Sequence, residues 1–122
     1  MKIHISSIGK SKRGPEKDLS DKYISQVKWD VTFHEAEVKK QMVTQKRKIE
    51  ESILLRKSIP EGSIKIVLDE RGKTITSPQF ADFLQNKQDA GYNNFTFLIG
   101  GADGHDSDFV NEADMVLSFG TF

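Results

Sequence analysis

The sequence predicts an α/β domain in which helices flank a mostly parallel sheet. Two observations carry that expectation. Short apolar runs alternate with longer stretches whose apolar residues recur every three or four positions. One of the short runs, Phe95-Thr96-Phe97-Leu98-Ile99, leads directly into Gly100-Gly101 and then Gly104, with eighteen residues following. That pattern describes a buried strand opening into a loop at its carboxyl end, where open α/β sheets bind small molecules. The length of 122 residues fits a single domain over residues 1–122.

Each element has its own justification. Ile3, Ile5 and Ile8 alternate in a first strand that Gly9 ends. Lys10-Ser11-Lys12-Arg13-Gly14 makes a basic loop. Pro15 suits a first helical turn, and Leu19, Tyr23 and Val27 form one apolar stripe after it. Residues 31–36 give a second strand. Residues 39–58 carry the longest helical pattern, with Met42, Ile49, Ile53 and Leu54 expected inside and Lys46, Arg47, Lys48, Glu50 and Glu51 expected in solvent. Pro60-Glu61-Gly62 breaks that helix. Residues 64–69 read as a third strand, and Glu70-Arg71-Gly72-Lys73 reads as a turn. Ser77-Pro78 supplies an N-cap hydroxyl and a first-turn proline, Phe80, Phe83 and Leu84 a buried stripe, and Gly91 a C-cap. Residues 95–99 form the fourth strand. Asp106, Ser107 and Asp108 open a short helix, and residues 115–119 form a fifth strand.

Composition narrows the function classes. The chain has no cysteine, which excludes disulfides and thiolate metal sites and favours a cytoplasmic chain. No apolar stretch approaches membrane-helix length, and Met1-Lys2-Ile3-His4-Ile5 is not a signal peptide. The net charge of zero argues against a general nucleic-acid coat protein. The halves differ, however: residues 1–61 hold 14 basic and 9 acidic side chains, a net of +5, whereas residues 62–122 hold 4 and 9, a net of −5. A basic face in the first half and an ordinary solvated helix surface both fit that split.

Gly100 and Gly101 are candidate ligand contacts, because residues without a Cβ reach positive φ and let a ligand approach the main chain. The loop has neither the Gly-Lys-Ser/Thr ending of a P-loop nor dinucleotide-fold spacing. A tight turn without a ligand is the plainer alternative. Leu68 and Asp69 end the third strand on the same side of a parallel sheet, where Leu68 can pack on an adenine-like face and Asp69 can accept hydrogen bonds, or simply form an acidic turn. Among the histidines, His4 and His34 fall in strands without metal-ligand spacing. His105 follows the glycine loop, where a solvated loop side chain is a more economical reading than a general base.

Four blocks in this order resemble the RlmH-type methyltransferases of the SPOUT superfamily. They are Met1-Lys2-Ile3-His4-Ile5-Ser6-Ser7-Ile8-Gly9-Lys10; Ile66-Val67-Leu68-Asp69-Glu70-Arg71-Gly72-Lys73 with Ser77-Pro78-Gln79-Phe80-Ala81; Phe97-Leu98-Ile99-Gly100-Gly101-Ala102-Asp103-Gly104; and Ala113-Asp114-Met115-Val116-Leu117-Ser118-Phe119-Gly120-Thr121-Phe122. The resemblance spans the whole chain. It implies S-adenosylmethionine bound in a deep trefoil knot, methylation of N3 of a pseudouridine in large-subunit (23S) ribosomal RNA, a homodimer and no metal. By position it places the cofactor against Leu68, Gly100, Gly101, Gly120, Thr121 and Phe122.

Members of that family continue with a Pro-His-containing loop and a C-terminal helix, whereas this sequence stops at Phe122. The resemblance therefore implies that the knot-forming tail, and the catalytic side chains it carries, are missing, and it leaves the catalytic residues unknown. The expected function is an S-adenosylmethionine-dependent ribosomal RNA methyltransferase. Its alternatives are a truncated, non-catalytic module that folds or dimerises, and a generic nucleotide-binding α/β protein. Lys10, Lys12, Arg13, Lys46, Arg47 and Lys48 are the candidate contacts to RNA phosphates.

Overall fold

A computed structural model describes residues 2–9, 30–38, 42–101 and 104–118. In chain order they form β1 (Lys2–Ile8), β2 (Asp30–Ala36), α1 (Thr44–Ser58), β3 (Ile64–Lys73), α2 (Ser77–Asp89), β4 (Asn94–Ile99), α3 (Ser107–Asn111) and β5 (Met115–Leu117). The strands make one five-stranded sheet in the order β2-β1-β4-β3-β5, and every pairing is parallel. This is the α/β class expected. The basic loop and the helix expected after Pro15, and the candidate residues Gly120, Thr121 and Phe122, lie outside the described residues.

Strand alternation divides the interior into two layers. Ile64, Ile66, Phe95, Ile3 and Leu117 face one side with Leu84, and Phe80 and Phe83 of α2 pack against them. Val67 and Leu98 face the other side and meet Leu55 of α1 and Phe109 of α3. Ile66, Phe95 and Leu98 are completely buried; burying a side chain of this kind contributes roughly 1.5–3 kcal/mol. Hydroxyls settle buried polar positions. Ser63 Oγ and Thr96 Oγ1 lie 2.7 Å apart, and Ser58 donates to Ser6 at 2.7 Å.

Three local expectations change. First, residues 70–73 do not turn: β3 continues to Lys73, with a register irregularity between Leu68 and Lys73, both of which pair with Leu117. The glycine there answers a steric need, since a Cβ on Gly72 would lie 2.7 Å from the Leu117 carbonyl carbon and 2.8 Å from that of Val116. Second, the cap of α2 is one residue earlier. Thr76 accepts from the Gln79 N–H at 3.2 Å, while the Gln79 side chain accepts from the Thr76 N–H at 2.8 Å, a reciprocal capping box. Gly91, at φ +99°, follows the helix end as expected.

Third, α1 begins at Thr44 and is rotated relative to the expected stripe. It buries Glu51, Ser52 and Leu55, while Ile49 and Ile53 remain 43 % and 38 % exposed. The inner face of α1 meets a hydroxyl of β1 and the main chain of the glycine loop, where compact polar groups fit. Leu55 and Ile59 provide its apolar anchors.

Candidate functional site

The connections of the sheet place the site. After β3 the chain crosses through α2 to the neighbouring β4, and after β4 it returns through α3 to β5 on the far side of β3. Those two helices pack on opposite faces. The path thus reverses at the β3/β4 boundary, the arrangement that leaves a crevice at the carboxyl ends of the strands. Leu68 pairs with Ile99 across that boundary and with Leu117 on the other side. Leu68, Gly100 and Gly101 are therefore brought together where the β3–β4 pairing stops, although β3 itself runs on to Lys73.

The loop is shaped by close main-chain approach. Gly101 and Gly104 form an antiparallel bridge, with the Gly104 N–H donating to the Gly101 carbonyl at 3.0 Å. Positive φ belongs to Gly104, at +83°, and neither Gly100 nor Gly101 shows it. What those two require is space. A Cβ on Gly100 would be 3.2 Å from the Gly104 main chain and from the His105 ring, and a Cβ on Gly101 would be 2.8 Å from Oε2 of Glu51.

His105 is not solvated. It is 3 % exposed, its Nε2 lies 3.2 Å from the Leu98 carbonyl, and it stacks on Phe109 with ring centroids 5.4 Å apart. Burial lowers its pKa below the ordinary 6.5, opposed by the Asp69 charge and by hydrogen bonds to the Leu98 and Leu68 main chain. A neutral imidazole has one N–H, and with Nε2 facing the Leu98 carbonyl that N–H anchors the ring to the end of β4 beneath the loop.

Asp69 is likewise more than an acidic turn. Its carboxylate is buried and takes a bidentate pair from Arg71, Nε to Oδ1 at 2.9 Å and Nη2 to Oδ2 at 3.0 Å, plus the Arg71 N–H at 2.9 Å. The Arg71 side chain leads the causes that hold the Asp69 pKa at about 2, against the opposing effect of burial. Arg71 Nη2 also reaches the His105 carbonyl at 3.4 Å. The Asp-x-Arg spacing was present in the sequence, but the pairing of an exposed Arg71 with a buried Asp69 required β3 to run on past Leu68.

From the far side, α1 contributes Glu51 at Gly101 and Gln45, which donates to Asp106 at 3.0 Å. Among the described residues no group of three or more His, Asp or Glu is placed to hold a metal ion. A groove of about 540 Å³ lies at the other end of β3, lined by Arg56, Ile64, Lys65, Tyr92 and Glu112 among others. Among the described residues no candidate site residue lines it, and an Arg56–Glu112 ion pair of 2.8 Å sits there.

A family model described as "Predicted SPOUT methyltransferase" matches residues 1–122. The chain belongs to the SPOUT methyltransferase family. Among its curated relatives, a protein of Paramagnetospirillum magneticum is 39% identical over 120 residues, covering 98% of this chain and 79% of the relative. One from Dinoroseobacter shibae is 40% identical over 126 residues, covering 98% and 80%. Both bear the name Ribosomal RNA large subunit methyltransferase H. The parallel sheet, its reversal at β3/β4 and the glycine loop at that point are the structural setting of this SPOUT chain.

Proposed function

We propose that this chain is an S-adenosylmethionine-dependent methyltransferase acting on N3 of a pseudouridine in large-subunit ribosomal RNA. The observation that carries the reading is the convergence of Leu68, Gly100 and Gly101 at the reversal point of a SPOUT-family sheet. A side-chain-free stretch of main chain beside a half-buried leucine suits an adenosyl group, which needs backbone contacts and one apolar face. Gly120, Thr121 and Phe122, which lie outside the described residues, are assigned to the same cofactor by the family resemblance alone. When bound, the cofactor supplies a methyl group already activated by its positive sulfur. The protein's share is to fix orientation and keep water out, and positioning of this kind can carry most of the acceleration.

The ribosomal RNA substrate is supported by the relatives' names and by the charge of α1. Its first turns contain Lys46, Arg47 and Lys48, and the first turn contains no acid. Arg47 has a structural partner, donating to the Val38 carbonyl at 3.2 Å. For Lys46 and Lys48, positive charge at a helix N-terminus opposes the helix dipole, so helix stability gives no reason for their charge there. RNA phosphates would supply one. The Gln45–Asp106 hydrogen bond puts this basic turn beside the glycine loop. A cytoplasmic location follows from such a substrate. Self-association into a homodimer is favoured by exposed apolar side chains at Phe33, Val43, Ile49 and Ile53.

The test is transfer of a labelled methyl group from S-adenosylmethionine to unmodified large subunits or 70S particles, with the product nucleoside identified by mass spectrometry. The expected product is 3-methylpseudouridine. Label on any other nucleoside rejects the substrate assignment. No transfer accompanied by intact cofactor binding supports the non-catalytic alternative.

A further inference from the structure

We propose that Glu51 is a positioning residue for the glycine loop: its buried carboxylate holds the main chain at Gly101 in the shape that receives the methyl donor. Glu51 lies in the middle of α1 at 6 % exposure, although the surrounding pattern of charges places it in solvent. Its two oxygens stand 2.8 Å and 3.2 Å from where a Cβ on Gly101 would sit. Burying a carboxylate is costly unless hydrogen bonds compensate it, and an apolar side chain would fill the same place without that cost. Main-chain amides of a loop are suitable donors to Oε2, the oxygen nearer Gly101, whereas Oε1 is buried with no hydrogen-bond partner among the described residues. Gln45, on the same helix, grips Asp106 at the other end of the loop. Side chains of α1 thus approach the loop at both ends, by close approach at Gly101 and by a hydrogen bond at Asp106, while the His105 ring lies against Gly100.

This inference rests on the cofactor reading above, and its test separates the two. Glu51→Gln preserves shape but removes the charge and one acceptor, and Glu50→Gln is the control on the same helix. Calorimetry with S-adenosylmethionine and with its product S-adenosylhomocysteine, which lacks the sulfonium charge, reads the site. Amide exchange at Gly101 and Gly104 in unliganded protein reads the loop.

In Glu51→Gln we expect both ligands to weaken by about tenfold or more, and loop exchange to rise by a similar factor. Glu50→Gln should change neither, and Glu51→Asp should recover part of both. Loss confined to S-adenosylmethionine would overturn the proposal by making Glu51 a direct partner of the sulfonium. Unchanged exchange in Glu51→Gln would overturn it outright. Should the unsubstituted protein bind neither ligand, the cofactor reading falls, and exchange alone decides whether Glu51 holds the loop. A double-mutant cycle guards against misfolding of one variant. Gly101→Ala drives a methyl into Glu51, so its effect in a Glu51→Ala background should fall well short of additive; full additivity also contradicts the proposal.

Discussion

His105 and Asp69 give the glycine loop its own response to acid. The buried His105 ring has a pKa below 6.5, so the unfolded chain takes up a proton that the native ring refuses. Stability then falls as pH drops from about 6.5 through the lowered value. Asp69 acts in a different window: its pKa is depressed to about 2 from 3.8, so its contribution is complete above about 4 and is lost as pH falls through about 2. Denaturant midpoints measured from pH 8 to pH 3 should decline below pH 6.5, and His105→Asn should flatten the first part of that decline. A His105→Asn curve parallel to the parent would contradict the buried neutral imidazole. At the same scale, Gly72→Ala puts a Cβ within 2.7 Å of β5 main chain. The overpacking should cost roughly 1–3 kcal/mol in equilibrium unfolding, whereas a turn at Gly72 would tolerate alanine.

At the level of elements, α1 and α2 show why helical pattern was readable in one and misleading in the other. Phe80, Phe83 and Leu84 of α2 pack on an apolar sheet face, so the inward side is the apolar side and periodicity identifies it. The inward side of α1 meets Ser6 and the glycine loop, and burial there follows the polar partner. Leu55→Ala should therefore cost about 2–5 kcal/mol, and Ile49→Ser should stay within about 0.5 kcal/mol, an order opposite to that given by the stripe of Ile49 and Ile53. Thr76→Ala should cost about 1 kcal/mol through loss of the capping box. The threonine was visible in the sequence, but Ser77-Pro78 next to it offered an equally good start signal. Urea unfolding of these three variants measures all the effects on one scale.

The whole molecule joins these levels. Strand starts, the parallel sheet and the nearness of Leu68 to Gly100 and Gly101 were legible because apolar alternation and glycine punctuation are local signals, whereas the run of β3 past Leu68 to Lys73 was not. Strand order was not, since nothing local in β4 says that it lies between β1 and β3. Nor were the Asp69–Arg71 pair, the His105 anchor and Glu51 at Gly101, each of which depends on where the folded chain brings its groups together. Charge also acts at this scale. With a net of +5 on residues 1–61 and −5 on residues 62–122, binding to ribosomal RNA should weaken steeply as salt rises, and Lys46→Ala with Lys48→Ala should reduce that slope by up to about two counterions. A filter-binding titration over a salt series reads it directly.

Whether a methyl-donor site forms where the β3–β4 pairing stops is decided by calorimetry with S-adenosylmethionine on the unsubstituted chain and on Gly101→Val. A working site there gives micromolar binding, about −8 kcal/mol, in the unsubstituted chain, and loss of that binding in a still-folded Gly101→Val protein. No detectable heat at millimolar cofactor, or Gly101→Val binding as tightly as the parent, would contradict it.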